Sequence, residues 1–112
     1  MNGDMQEDEF LLYLYRLKSG AGAEYDLRHR SVWPELLEML DLVGICNYQI
    51  WRHEEIVVCR LQALQGYSNA MAIMAANQVQ KAWSASLMDL FEATTDAGGE
   101  PLWLKEVFRF KY

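Results

Sequence analysis

Apolar positions along this chain change period several times, and each change marks the border of an element. Residues 10–17, FLLYLYRL, are almost continuously apolar or aromatic. The run is short for a helix and rich in strand-forming side chains, so it predicts a strand buried on both faces. Ser19, Gly20 and Gly22 break it. From residue 24 to 42 and on to Val43, the apolar residues Tyr25, Trp33, Leu36, Leu37, Leu40 and Val43 recur at spacings near three and four. That is the period of a helix with one apolar face. Pro34 falls inside this stretch, where its missing N–H and its ring predict a kink or a new helical segment near 31–34. Gly44 suits the helix end.

Residues 45–51 and 56–64 are β-branched or aromatic runs separated by the polar tip Arg52, His53, Glu54 and Glu55, which reads as a hairpin. Residues 67–76 and 79–91 are rich in alanine and methionine and predict helix, with a break near Asn77. The stretch 94–101, TTDAGGEP, is loop chemistry, and 102–112, LWLKEVFRFKY, predicts a last strand. Residues 1–8 are polar and without period, the expected flexible leader to a single domain over 9–112.

The order β-α-β-β-α-β, with the second α element split, predicts an α+β fold of the ferredoxin-like kind, an antiparallel sheet with helices on one face. In the first strand Leu11, Tyr13, Tyr15 and Leu17 alternate with Phe10, Leu12 and Leu14, so both sheet faces ask for cover. One layer of helices covers one face. A symmetric homodimer is the simplest cover for the other.

Composition narrows the function. At 112 residues, 52% hydrophobic and 23% charged, the chain is one globular domain with enough apolar surface for a core. A net charge of −6 repels phosphate backbones and anionic headgroups, which argues against nucleic-acid and membrane partners. Cys46 and Cys59 sit in apolar segments with neither C-x-x-C spacing nor histidine neighbours, so they predict core thiols and no metal site. With no secretory signal and no apolar run near the roughly 20 residues that span a bilayer, the expected location is the cytoplasm.

Tyr25, His29 and Trp33 follow one another at i, i+4 spacing and would present a phenol, an imidazole and an indole along one helix face. A histidine there has two readings, a helix-end ring satisfied by the backbone or a group that moves a proton. A pocket of tyrosine, tryptophan and one histidine, without paired carboxylates, suits a neutral polyhydroxylated ligand. Aromatic faces pack on sugar C–H faces, phenols orient hydroxyls, and imidazole transfers protons near neutral pH.

The segment from Glu24 to Leu36, EYDLRHRSVWPEL, is similar to the E-Y-x-x-R-H-x-x-x-W-P-E-L motif of the L-rhamnose mutarotase family. The segment from Gly44 to Ile50, GICNYQI, resembles that family's G-x-x-N-Y-x-I strand, and QKAW and LKEVF fall where the family has its aromatic helix motif and closing strand. The resemblance runs from Tyr13 onward. It implies a dimeric α+β barrel that interconverts the α and β anomers of L-rhamnose or a related deoxyhexose without a cofactor. It implies His29 as proton donor and Tyr25, Tyr48 and Trp83 as sugar contacts. The family commonly has two adjacent tryptophans where this chain has Ala82 and Trp83, which predicts a pocket wall missing one indole. Two other functions remain open at this point, a cofactor-free monooxygenase of the same barrel type and a non-catalytic small-molecule-binding dimer module.

Several other residues have structural expectations. Arg60 lies among apolar neighbours and is expected to pair with a carboxylate such as Glu106 rather than with ligand, because an isolated buried charge is costly. Met71, Met74 and Met88 read as core filling, Trp33 as packing at the helix kink, and Trp51 and Trp103 as closing the barrel or dimer. His53 belongs to a solvated turn.

Overall fold

The computed structural model describes residues 10–98 and 101–111. Its sheet is built around β1 (Leu11–Leu17), which pairs antiparallel with β3 (Ile56–Ala63) on one side. On its other side β1 pairs with β4 (Phe91–Ala93) and β5 (Leu102–Trp103). β2 (Ile45–His53) joins β3 through the predicted hairpin and forms the outer edge. Four α-helices complete the described residues: α1 (Gly22–His29), α2 (Pro34–Leu42), α3 (Tyr67–Ala76) and α4 (Gln78–Leu87). A short 3-10 turn, Met88–Leu90, leads into β4.

The predicted kink is a complete break. Pro34 opens α2, where its missing N–H would be unpaired in any case. Trp33 before it is extended at φ −63° and ψ 133°, the conformation that a following proline favours. The break near Asn77 is real as well: Asn77 is extended, and its side-chain oxygen accepts the Gln80 N–H at 3.0 Å to cap α4. Gly44, at φ +84°, turns the chain from α2 into β2.

Between sheet and helices lie two apolar clusters, one around Leu36, Met39, Ile45, Leu61 and Ala70, the other around Leu17, Tyr25, Val57, Cys59 and Leu87. Tyr13 and Trp83 pack against both. The other sheet face carries Leu12, Leu14 and Val58, half-buried, with Trp51 still 48% exposed.

The last strand is shorter than expected. Only Leu102–Trp103 pair with β1; Leu104 N–H still reaches the Leu12 carbonyl at 2.9 Å, and 105–111 take no strand pairing. In the antiparallel register Leu104 lies opposite Leu12, so the segment reaches the start of β1 within one more residue. Val107 and Phe108 are 90% and 81% exposed. Phe91, expected to end a helix, instead opens β4 with residues 92 and 93, which lie between the expected helix and loop, and Met88 is exposed rather than core. The leader expected over 1–8 lies outside the described residues.

Candidate active site

A cavity of about 440 Å³ opens between the helix-facing side of the sheet and helices α2 to α4. Its sheet wall carries the phenols of Tyr13, Tyr15 and Tyr48; facing them on α4 stand Trp83, Gln80 and Ser84. Leu36, Leu40, Met71 and Met74 make it apolar at one end.

Strand alternation alone explains Tyr13 and Tyr15, which share a face of β1 with ring centroids 6.4 Å apart. Tyr48 needs more. Counting by twos from the buried Ile45 would send Tyr48 to the outer face, but β2 carries one extra residue between Cys46 and Gln49. Asn47 takes up this bulge at φ +50°, bonded through its amide to Gln62, and the parity of the strand reverses. Tyr48 and Ile50 therefore turn toward the helices, and the Tyr48 hydroxyl bonds that of Tyr13 at 3.1 Å. The Tyr15 hydroxyl bonds that of Tyr25. Burial pushes the phenols of Tyr13, Tyr15 and Tyr25 well above the ordinary tyrosine range, and that of Tyr48 up to about 12. All four are neutral hydrogen-bonding groups at physiological pH.

His29 closes α1, and its Nδ1 donates to the Tyr25 carbonyl at 2.9 Å. A carbonyl can only accept, so Nδ1 carries the proton of the neutral ring and Nε2 carries its lone pair. The imidazole lies 4.1 Å from the Tyr25 ring and meets the Trp83 indole edge-on at 5.5 Å, centroid to centroid. It lines a shallow depression with Asp26, Arg30, Trp51 and Arg52, not the cavity. The cavity thus brings together Tyr48 and Trp83. Tyr25 is 2% exposed and stands behind Tyr15, while His29 connects to the cavity wall through Trp83.

Two charged clamps hold α1 in this place. Arg28 bonds Glu24 at 2.8 Å, the Ser86 carbonyl at 2.6 Å and Asp89 at 3.1 Å, tying the end of α1 to the end of α4 that carries Trp83. Arg52 bonds both carboxylate oxygens of Asp26, at 2.7 and 2.6 Å, which ties α1 to β2 and holds the Asp26 carboxyl below its usual range. Gly22 leaves room for this pair: a Cβ there would lie 2.8 Å from the Arg52 guanidinium carbon.

Other expectations resolve differently. Arg60 does not meet Glu106. It lies on the outer sheet face, bonded to Gln49 and 4.0 Å from the Phe10 ring centroid, while Glu106 pairs with Arg109. β5 ends before Glu106, so the strand that was to carry the carboxylate across never forms. Trp33 packs at the helix break as expected, edge-on to Trp83 at 5.2 Å. Ala82 is exposed and lines an outer groove with Trp33, Glu35 and Val79, so its small side chain widens that groove and leaves the cavity wall as it is. Among the described residues no group of three or more His, Cys, Asp or Glu converges on a metal position.

A model of the L-rhamnose mutarotase family matches residues 11–110. The chain belongs to that family. An L-rhamnose mutarotase of Flavobacterium johnsoniae is 32% identical over 98 residues, 86% of this chain and 90% of the relative. One of Bacteroides thetaiotaomicron is 32% identical over 105 residues, 93% and 97% respectively. The crystal structure of an L-rhamnose mutarotase from Formosa agariphila superposes with a TM-score of 0.69 at 23% identity, covering 92% of this chain and 99% of that one, and shows the same α+β fold. Within an L-rhamnose mutarotase family chain, the motif residues now have positions: the first motif spans α1 and α2, the second is the bulged start of β2, and Trp83 is the indole of the cavity. Tyr13, Tyr15, Gln80 and Ser84 line the cavity without having been singled out. Their signal was present as two tyrosines at i, i+2 and two polar residues one turn apart on α4.

Proposed function

We propose that this protein is a mutarotase that interconverts the α and β anomers of L-rhamnose or a closely related deoxyhexose, without a cofactor. The observation that carries this reading is family membership across nearly the whole chain, joined to a cavity that sets an indole opposite three neutral phenols. A pyranose has C–H faces for the indole and hydroxyls for the phenols.

His29 is the proton donor in this reading, and Tyr25, Tyr48 and Trp83 shape the sugar site. The sugar lies against Trp83, and its anomeric end must extend past the indole edge to meet the imidazole, because His29 lines the neighbouring depression and not the cavity itself. Protonated at Nε2, His29 gives its proton to the ring oxygen as the anomeric O–H loses one, and the C1–O5 bond breaks to leave an open aldehyde. Rotation about C1–C2 and reclosure return the proton to Nε2 and deliver the other anomer. Neutral phenols cannot act as the base, so water or the imidazole itself takes the anomeric proton. The barrier lowering required, about 3 to 5 kcal/mol, corresponds to roughly a hundredfold to several thousandfold, within the range of one general acid.

The reading includes a homodimer closed across the outer sheet face, where Leu12, Leu14 and Val58 are half-buried and Trp51 is exposed. It also places the protein in the cytoplasm; no helix among the described residues is long and apolar enough to cross a membrane. The direct test is anomer exchange of L-rhamnose, measured by saturation-transfer NMR on the unmodified chain and on His29→Gln. The substitution should slow exchange by about a hundredfold or more with circular dichroism unchanged. Exchange at the unmodified rate would remove His29 as the acid.

A further inference from the structure

Four phenols converge on one edge of the cavity in two hydrogen-bonded pairs, Tyr13 with Tyr48 and Tyr15 with Tyr25. The pairs differ in position. Tyr13, Tyr48 and Tyr15 all reach the cavity, whereas Tyr25 is enclosed, so Tyr15 is the phenol through which the second pair meets a ligand. We propose that the hydroxyls of Tyr13 and Tyr15 bind hydroxyl groups of the sugar and set which monosaccharide the cavity accepts, a role that rests on the mutarotase reading and deepens it.

Hydrogen-bond inventory supports the assignment. A phenol offers one proton and two lone pairs, so after one internal bond the Tyr13–Tyr48 pair keeps one proton to donate and lone pairs to accept. Neighbouring hydroxyls on a sugar ring need that combination, since each both gives and takes. For the second pair either hydroxyl can be the donor; because Tyr25 is enclosed, the arrangement in which Tyr25 donates satisfies its proton and leaves the Tyr15 proton for the cavity. Ring packing fixes where these hydroxyls point: Tyr15 meets Phe91 edge-on at 4.9 Å, and Tyr13 meets Trp103 edge-on at 5.9 Å. A donor whose aim is already set costs little ordering on binding and discriminates between epimers, because a misplaced sugar hydroxyl leaves it unpaired. Opposite them, Gln80 Nε2 donates to Ser84 Oγ at 3.0 Å, so that wall spends part of its hydrogen bonding internally. The phenol wall is where stereochemistry is read.

The test uses full-length Tyr13→Phe and Tyr15→Phe, each of which removes one oxygen and keeps the ring. On the unmodified chain and both variants, steady-state anomer exchange is followed by NMR with L-rhamnose and with L-fucose, and affinity for each sugar by calorimetric titration. Loss of one neutral hydrogen bond should raise KM and Kd for L-rhamnose about threefold to tenfold, with kcat within about twofold and the preference between the two sugars reduced. A structural role would lower the amount of folded protein or kcat without moving that preference. Unchanged Kd and unchanged preference in both variants would overturn the proposal. If the unmodified chain binds L-rhamnose but does not speed exchange, the mutarotase reading fails while the Kd values still decide the phenols. No binding of either sugar by the unmodified chain overturns both. Should one variant fail to fold, the other decides.

Discussion

The Tyr15–Tyr25 pair offers a stability measurement whose outcome depends on which phenol is enclosed. Tyr25 is 2% exposed and its hydroxyl finds its partner in Tyr15, whereas Tyr15 lines a cavity that admits water. Tyr25→Phe removes a hydrogen bond but leaves the Tyr15 hydroxyl able to turn to solvent, so it should cost about 0.5 to 1.5 kcal/mol. Tyr15→Phe leaves the Tyr25 hydroxyl buried and unpaired, which raises the cost to about 1 to 3 kcal/mol. Removing both oxygens abolishes the unpaired group, so the double variant should be no less stable than Tyr15→Phe alone, with a coupling energy near 1 kcal/mol. Urea unfolding at a single protein concentration gives all four values, provided the slope of the transition stays constant. For a chain of this length a difference of 1 kcal/mol also moves the thermal midpoint by roughly 4 °C or more. A Tyr25→Phe cost equal to or above that of Tyr15→Phe, or strict additivity in the double variant, would refute the account of which hydroxyl depends on which.

Self-association should place the unmodified chain at twice its 13.0 kDa in light scattering at micromolar concentration, and Trp51→Glu should shift it toward the monomer mass by putting a charge on the uncovered sheet face; a monodisperse monomer of the unmodified chain would remove that interface. The phenols also set an alkaline limit. Enclosure of its phenol end pushes Tyr48, 38% exposed as a whole residue, up to about 12 from the ordinary 10.0, so above that lower value the unfolded chain holds fewer protons and stability falls as pH rises. Phenolate absorbance should therefore appear together with unfolding between those two pH values; a tyrosine fraction ionising at ordinary pH across all residues while circular dichroism stays native would contradict the burial of the cavity wall.

How much of this was readable in the sequence depends on whether a feature is local. Pro34 breaks the helix through its own ring and missing N–H, and Asn77 caps α4 through its own side chain, so both breaks could be placed in advance. Of the two readings of His29, the backbone-satisfied one describes Nδ1, which bonds the Tyr25 carbonyl, and the proton-moving one belongs to the proposed mechanism. Tyr48 was named only through its motif, because alternation by twos carries no sign of an inserted residue. Asn47 was the available clue, a residue type at ease with positive φ in the middle of a strand. Alternation puts Tyr13 and Tyr15 on one shared face without saying which face meets the helices, and a strand pattern says that a face is covered and not that a cavity lies beneath the cover.

The final segment shows the same limit from the other side. Phe108 and Phe110 alternate with Arg109 and Lys111, a strand pattern with one apolar and one basic face, yet residues 105–111 find no partner within the described chain. Alternation records that a side chain needs a half-buried pleated surface and is silent on which molecule supplies it. The strand expected over 102–112 stops at Trp103, and the exposed Val107, Phe108 and Phe110 make the same kind of demand as the outer sheet face, where Trp51 is exposed and Leu12 and Leu14 are half-buried. Two apolar surfaces that stay partly open among the described residues, one extended and one flat, are more economically buried against a second copy than against water, which ties the unpaired segment to the expected dimer.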